Sequence, residues 1–474
     1  MTVTFTDLFC GAGGSSVGAT AAGMTLAVAA NHWRTAIDVH QTHFPDARHD
    51  CADISQADPR RYPPTRVLLA SPECTNHSQA RGVSRRRQDP SLWDAPDPSA
   101  ERSRATMWDV PRFAEQVGYD AIVVENVVEA TAWVMWPAWW QAMECLGYRG
   151  RVVSANSMHH GVAQSRDRVY VVWARAGIDI DLEFEQAGWC GRCERVATCR
   201  QAWKNGRSVG RYRSQWVWRC VDCGTTVEPA VRGAADIIDW GLPVQRIGDR
   251  ARPLAANTRR RIAAGLARYG WTEPVVTAGA GNTFETRPGN RARPLTEPLP
   301  TQQATVTSAL AVPFLLNTAH GGRIHDVAAP HPTVCASDDR LSLITTLRGT
   351  NAGQIEASAR PVGDPLTTVA AGGIHHGLLM SHYGHGQAQP TMRPVPTVPT
   401  RDRFALVDPD VAVDDCGFRM LEPQEVAAAM AFPDGYIPSD LSKKDRVKLA
   451  GNAVTPPVMT AIAERIMAAL REAA

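Results

Sequence analysis

No stretch of this 474-residue chain approaches the roughly eighteen consecutive apolar residues that a membrane-spanning helix requires. The opening residues MTVTFTDLFCGAGG enter a strand pattern at once and lack the basic and apolar regions of a secretory leader. A cytoplasmic protein with no membrane partner is expected. An excess of one charge is missing too: the net charge is +2. That balance hides clustering, because Arg81, Arg85, Arg86, Arg87, Arg102 and Arg104 share one stretch and a second basic stretch lies near 192–219. Such clusters suit either a polyanion or a solvated face. The eleven cysteines are scattered over a long chain, and four of them form two CxxC pairs. A disulfide framework is therefore disfavoured against metal binding and catalysis in a reducing compartment.

Residues 1–175 alternate apolar runs (VTFTDLF, TLAVAAN, TRVLLAS, AIVVEN, GRVVSAN, RVYVVWA) with helical stretches. This rhythm predicts an α/β fold with a doubly wound, mostly parallel sheet whose ligands sit at the carboxyl ends of the strands. From about 186 the chain becomes rich in Cys, Trp and Arg, and 253–269 reads as a short amphipathic helix. Four Pro-Thr turns at 298–301, 330–333, 365–368 and 394–397 recur every 29 to 35 residues. They read as turn-then-strand units or as Pro-rich loops. The segment 416–474 returns to helix. The expected divisions are a core over 1–185, an insert over 186–235, a further region over 236–415 and a C-terminal return over 416–474.

Several side chains stand where chemistry is plausible. Asp7-Leu-Phe-Cys-Gly-Ala-Gly-Gly14 follows the first strand, so its glycines allow a ligand close to the backbone. Asn31 and Asp53 end later strands, where a ribose and an adenine would be held. Cys74, in Ser71-Pro-Glu-Cys, follows a wholly apolar strand and is either a nucleophile or a small buried residue. Glu125 and Asn126 end an otherwise apolar strand, so a carboxylate is poised to share a proton with a ring nitrogen. Arg166 and Arg168 open another strand as donors for a phosphate or a base carbonyl.

Taken in order, DLFCGAGG, PEC, ENV, QSRDR and Gly451-Asn-Ala-Val-Thr-Pro-Pro457 resemble the DNA cytosine-5 methyltransferases, over about 1–175 and 416–474. The resemblance implies a class I, Rossmann-like methyltransferase core. It implies S-adenosyl-methionine bound by Phe9, Gly11, Gly13, Asn31, Asp53, Ile54, Asn452, Ala453 and Val454. It also implies double-stranded DNA as partner and a flipped cytosine; a monomer is expected, and restriction-modification is a setting in which such an enzyme would work, with or without a nuclease partner. Cys74 would add to carbon 6, Glu125 would hydrogen-bond or protonate ring nitrogen 3 with Asn126 beside it, and Arg168 would hold the base carbonyl, with Arg166 on the same edge. Three departures stand out. Glu73 is inserted between the proline and the cysteine, Asn31 replaces an acid, and Ala163 replaces a proline. A tRNA methyltransferase, an inactive DNA-binding relative and transfer of another group remain as alternatives.

In the resembling family the variable segment reads the target, and here it spans about 176–415. Within it, Cys190-Gly-Arg-Cys193 and Cys220-Val-Asp-Cys223 are separated by 26 residues. Two such knuckles predict a structural zinc ribbon. Residues 188–232 hold nine Lys or Arg against three acids, interleaved with Trp189, Trp203, Trp216 and Trp218. These either contact nucleic acid or fill a core too small to stand without metal. Cys199 fits neither knuckle.

Overall fold

A computed structural model describes residues 2–73, 105–239, 241–253 and 417–473, together with strand segments only between 275 and 407. The apolar runs fold as β1 (Thr4–Leu8), β2 (Thr25–Ala30), β4 (Val67–Ala70), β5 (Ala121–Asn126), β6 (Tyr148–Asn156) and β8 (Asp167–Arg175). A short β3 (Arg48–Asp50) joins them. They form one seven-stranded sheet of order β3-β2-β1-β4-β5-β8-β6, in which β8 alone runs antiparallel to its neighbours. The expected mostly parallel sheet is present.

The sheet is covered on both faces, and β4 shows why its sequence must be continuously apolar. Val67 and Leu69 enter one core with Phe5, Val123 and the C-terminal helix. Leu68 and Ala70 enter the other with Ile122, Val124, Phe113 and Trp139. A strand buried on both faces cannot alternate with polar residues, and each such side chain contributes about 1.5–3 kcal/mol of burial. The first face is covered by α1 (Gly14–Ala21) and the long terminal helix. The second carries α3 (Asp109–Val117) and α4 (Trp136–Cys145). Between them in sequence lies α2 (Arg34–His43).

The C-terminal return supplies α5 (Pro423–Ala429), α6 (Lys443–Gly451) and α7 (Pro456–Glu472). Pro456 and Pro457 suit the first turn of α7, where no amide partner is needed. Its buried stripe of Val458, Ile462, Ile466 and Leu470 packs on the sheet. A Cβ at Gly18 would stand 2.5 Å from Pro456 O, and one at Gly14 2.0 Å from Val454 O. The two glycines, one helical turn apart, let the C-terminal segment lie directly on α1.

The insert forms an antiparallel sheet of β9 (Glu185–Cys190), β10 (Arg195–Trp203), β11 (Trp216–Cys220) and β12 (Thr226–Val227), order β12-β11-β10-β9. Its small core holds Ala197, Cys199, Tyr212, Trp216, Trp218 and Val227. By contacts the chain divides into Met1–Val162, Arg166–Val231 and Met430–Ala474 as one unit, and Ala163–Ser165 with Arg232–Ala429 as the other. The insert falls within the unit of the large sheet, and α5 falls outside it.

The second unit is built of antiparallel strands, β7 (Gln164–Ser165) with β16 (Leu299–Pro300) excepted, which pair in parallel. Its five-stranded sheet has the order β13 (Gln245–Arg246), β24 (Gly417–Met420), β17 (Ser308–Ala311), β14 (Val275–Ala278), β15 (Ala292–Pro294). Among the described residues it also holds two three-stranded sheets. One joins β19 (Arg323–Asp326), β18 (Phe314–Asn317) and β20 (Leu341–Ser342); the other joins β22 (Ala388–Pro390), β21 (Leu378–Ser381) and β23 (Phe404–Val407). The helix expected at 253–269, the basic cluster at 81–104 and three of the four Pro-Thr turns lie outside the described residues; the first turn overlaps β16. Among the described residues no helix is long and apolar enough to cross a membrane.

Candidate active site and cysteine cluster

The strand order reverses between β1 and β4, so the carboxyl ends of those strands frame a crevice. After β1 the chain turns sharply, with positive φ at Phe9 (59°), Gly11 (53°) and Gly13 (93°). Gly13 needs both its conformation and its missing side chain, because a Cβ there would stand 2.8 Å from Tyr436 Oη. At Gly11 a Cβ would meet nothing within 4 Å, so the loop presents bare backbone to open space. Gly13 caps α1 without a side-chain bond, and the Asp7 carboxylate takes the Ser16 amide in the first turn. Beneath the loop, fully buried Asp7 accepts hydrogen bonds from the hydroxyls of Ser15 and Ser16, each 2.6 Å long.

Asn31 ends β2, is buried, and accepts the Trp33 amide through Oδ1 at 2.8 Å. Trp33 in turn lies under Lys448, whose Nζ is 3.8 Å from the ring centre. Asp53 is exposed and caps a short 3-10 turn, taking bonds from the Ser55 amide and hydroxyl, while Ile54 beside it is buried. Bare glycine backbone and polar groups at the next two strand ends are a donor set that fits an adenosyl amino acid.

On the other side of the crevice, β4 runs into Ser71, whose amide bonds Leu8 O at 3.2 Å. Asn126 donates to Pro72 O at 3.4 Å and accepts the Val127 amide at 2.8 Å, tying the β4 exit to the end of β5. Glu73 is the last described residue there; Cys74, expected as nucleophile, lies outside the described residues. Glu125, 8% exposed, pairs with Arg168, whose Nε stands 3.0 Å from Oε1. The N–H is not aimed at that oxygen, which accepts no hydrogen bond among the described residues. Arg168 also donates to Asp167 O at 2.8 Å.

Arg166, expected as a base or phosphate donor, reaches the C-terminal segment. Its buried guanidinium donates to Gly451 O at 3.2 Å and Ala453 O at 3.0 Å, holding the C-terminal Gly-Asn-Ala turn. Asn452 is exposed at the end of α6, whereas Ala453 and Val454 are buried against α1. Ala163, where a proline was noted as usual, is simply buried.

Sequence reasoning missed one hub. Asn156 accepts the amides of Met158 (3.2 Å) and Arg166 (3.1 Å) and donates to Asp167 Oδ1 at 3.1 Å. Asp167 Oδ1 also accepts the Tyr212 amide of the insert at 2.9 Å. An Asn two residues before a reversal is a cap signal, but its partner ten residues on is a tertiary fact.

The Sγ atoms of Cys190, Cys193, Cys220 and Cys223 all lie within 4.8 Å of one another. The 190–223 separation is 3.4 Å and the 193–220 separation 3.9 Å. Four thiolates around zinc at ~2.3 Å require edges of ~3.8 Å, so the four cysteines fit that ion. Cys199 is buried beside the cluster and donates to Ala197 O at 3.4 Å. Of the four tryptophans, Trp216 and Trp218 are buried, Trp203 is half-buried and Trp189 is 63% exposed.

A family model of the C-5 cytosine-specific DNA methylases matches residues 3–191 and 349–468. The Type II methyltransferase M.AgeI of Thalassovita gelatinovora is 29% identical over 188 residues, covering 37% of this chain and 40% of that protein. The Type II methylase M.HgiEI of Herpetosiphon aurantiacus is 29% identical over 183 residues, covering 37% and 38%. The match thus spans about two fifths of the length of these curated relatives. Among solved structures, a mutant of Spodoptera frugiperda DNMT2 aligns over 98% of this chain and 100% of its own, at 13% identity and a TM-score of 0.48.

Proposed function

The chain belongs to the C-5 cytosine-specific DNA methylase family, and from that premise we propose that it methylates carbon 5 of a flipped cytosine in double-stranded DNA, with Cys74 as covalent nucleophile. The observation that carries this reading is Glu125. It is a buried carboxylate at the carboxyl end of β5, beside the β4 exit that leads to Cys74, with one oxygen that accepts no hydrogen bond among the described residues.

S-adenosyl-methionine, when bound, supplies an electrophilic methyl group. Phe9, Gly11 and Gly13 would hold it on bare backbone, Asn31, Asp53 and Ile54 would meet its nucleoside, and Asn452, Ala453 and Val454 would close the same pocket. Adding the Cys74 thiolate to carbon 6 pushes electron density to carbon 5 while ring nitrogen 3 takes a proton from Glu125. Once carbon 5 is methylated, loss of its proton to a base expels the thiolate and returns the nitrogen 3 proton to Glu125. Arg168 orients Glu125 and offers donors to the base carbonyl. Asn126, by fixing Pro72, sets where the Cys74 loop begins. Arg166 acts through the turn it holds, as a positioning residue for the cofactor pocket.

Cys190, Cys193, Cys220 and Cys223 would hold one structural zinc ion, closing a small sheet whose own core is modest. The test of the whole reading is transfer of label from tritiated S-adenosyl-methionine. Purified protein and a Cys74→Ala variant are incubated with unmethylated duplex DNA and, separately, with tRNA, and the labelled nucleoside is identified by mass. Label in DNA as 5-methylcytosine that disappears in the variant is expected. Label in tRNA alone, or label that survives in the variant, overturns substrate or nucleophile respectively.

A further inference from the structure

The insert reaches the large sheet at the edge where β5 and β6 end and β8 begins. Gln201 Nε2 donates to Ser154 O at 2.9 Å and the Gly210 amide to Ser154 Oγ at 3.2 Å, both near the end of β6. The next two residues reach further. The Arg211 guanidinium donates to Glu129, which stands in the 3-10 turn Val128–Ala132 that follows β5. The Tyr212 amide donates to Asp167 Oδ1 at 2.9 Å, at the start of β8. One dipeptide of the insert therefore holds both the segment that follows Glu125 and Asn126 and the residue that precedes Arg168.

The dipeptide is itself anchored in the insert. The Arg211 amide bonds Gln215 Oε1 at 2.7 Å, its carbonyl takes the Gln215 amide at 2.9 Å, and Trp216 Nε1 donates to Gly210 O at 3.2 Å. Tyr212 is buried against Trp216, with ring centroids 4.8 Å apart, and its hydroxyl donates to Glu228 at 2.7 Å. On the receiving side, Asp167 Oδ1 also takes Asn156 Nδ2 at 3.1 Å, while Asp167 O takes Arg168 Nη1 at 2.8 Å. Glu125 faces Tyr170 and Asn126 faces Val169 in the β5–β8 register. A shift of either strand end therefore changes how Arg168 meets Glu125.

We propose that Arg211 is a positioning residue for methyl transfer: with the Tyr212 amide it clamps the exit of β5 to the start of β8, and so fixes the Glu125–Arg168 pair from the insert. The inference rests on the methyltransferase reading given above. Reacting groups tolerate little displacement, a shift of about 1 Å costing on the order of a hundredfold in rate. The Arg211 side chain is 43% exposed and that of Glu129 23%, so water screens the pair and its loss removes little stability. Rate and stability should therefore separate.

The test uses the full-length protein and the variants Arg211→Met, which keeps the apolar stem without its donors, Glu129→Leu, and the two combined. Each single change should lower the single-turnover rate at saturating DNA and S-adenosyl-methionine by about tenfold or more. The double variant should fall no further, because both changes remove one interaction. Melting temperature, KM for DNA and affinity for S-adenosyl-homocysteine should match wild type. An unchanged rate in Arg211→Met, a rate that falls only in step with melting, or additive losses overturn the proposal. A loss carried by KM for DNA instead would assign Arg211 to the DNA and also overturn it. Hydrogen exchange supplies a readout that needs no transfer. Arg211→Met should speed exchange of the amides of Val127, Ala130 and Arg166, which bond Asn126 Oδ1, Val127 O and Asn156 Oδ1, and leave β1 and β4 as they are. Unchanged exchange at those amides overturns the clamp. Wild type that transfers no methyl group overturns the methyltransferase reading, and with it the role in methyl transfer, while exchange still decides whether Arg211 holds the two strand ends.

Discussion

Arg168 Nε stands 3.0 Å from Glu125 Oε1, with both side chains nearly nine-tenths buried, across the antiparallel pairing of β5 and β8. Removing one partner of such a pair strands the other charge away from water, at a cost of about 3–5 kcal/mol. Glu125→Gln keeps the shape of the side chain while removing its proton chemistry. It should lower the single-turnover rate of methyl transfer by roughly 10²–10⁴ and leave S-adenosyl-homocysteine affinity unchanged. Glu125→Gln, which leaves the buried Arg168 charge without its partner, should lower the melting temperature, and Arg168→Leu should lower both rate and melting temperature. A Glu125→Gln enzyme within tenfold of wild type would remove the carboxylate from the chemistry.

Arg166 separates positioning from contact with the base. Its two donors to the Gly451 and Ala453 carbonyls are charge-assisted, a class worth about 1.5–3 kcal/mol each. Arg166→Lys should therefore weaken S-adenosyl-homocysteine binding by about tenfold or more, with a smaller effect on the rate at saturating cofactor. Calorimetric titration measures it. Intact affinity with a large fall in rate would return Arg166 to the base or phosphate role expected from sequence.

Gly14 gives a third prediction, because a Cβ there would be 2.0 Å from a backbone oxygen, Val454 O, which has no flexible end to move aside. Overpacking of this kind costs about 1–3 kcal/mol or more. Gly14→Ala should lower the melting temperature and raise proteolytic sensitivity near 451–457, whereas Gly11→Ala meets no clash and should cost only the about 1–2 kcal/mol of a left-handed alanine, together with cofactor affinity. Equal melting of Gly14→Ala and wild type would show that the C-terminal segment does not rest on α1.

The strands of the large sheet were legible because each is an uninterrupted apolar run bounded by turns, and a strand buried on both faces has no other pattern open to it. Glu125 and Arg168 were legible as neighbours on one edge for the same reason. The partner of Arg166 was not, since it lies 285 residues away in sequence and a buried arginine satisfied by carbonyls leaves no local signature. The fate of the insert tryptophans was legible in part. In Trp216-Val-Trp-Arg-Cys220 a period of two places Trp216, Trp218 and Cys220 on one face. The face that turns Cys220 toward the cluster therefore turns both rings into the core, and Trp189 is left exposed. The clamp that Arg211 and Tyr212 make on β5 and β8 had no sequence signal, because it exists only where those strands meet a sheet folded from residues 185–227.

Metal content tests the cysteine cluster directly. One zinc per chain is expected from plasma emission of protein purified without added metal, and a single Cys220→Ser change should abolish it. The insert core is small, and Tyr212 of the insert bonds Asp167, the neighbour of Arg168. Metal loss should therefore lower the melting temperature, by roughly 2–4 °C for each kcal/mol lost, and slow methyl transfer. Protein with no bound metal and unchanged melting after chelation would leave the cysteines as ordinary core thiols.

Acid stability should expose the chain of polar groups beneath the glycine loop. Asp7 bonds Ser16, Ser16 Oγ is 3.0 Å from His40 Nε2, and His40 Nδ1 is 2.8 Å from His49 Nε2. Burial raises Asp7 from 3.8 to about 6, outweighing the serine bonds, and burial first, then His49, lowers His40 from 6.5 to about 3. Between pH 4 and 6 the folded chain therefore keeps a proton on Asp7 that the unfolded chain releases, so this group makes stability fall as pH rises. Over the same window unfolding lets His40 take up a proton that the folded chain refuses, so His40 makes stability rise with pH. The two slopes oppose and nearly cancel. Asp7→Asn retains an oxygen for both serines and removes only the first slope. Relative to wild type, the variant should lose about 2–3 kcal/mol on acidification from pH 6 to 4, at about 1.4 kcal/mol per unit. Urea unfolding of both proteins across that range measures the difference directly, and a difference that does not change with pH would mean that Asp7 is not a protonated acid inside this fold.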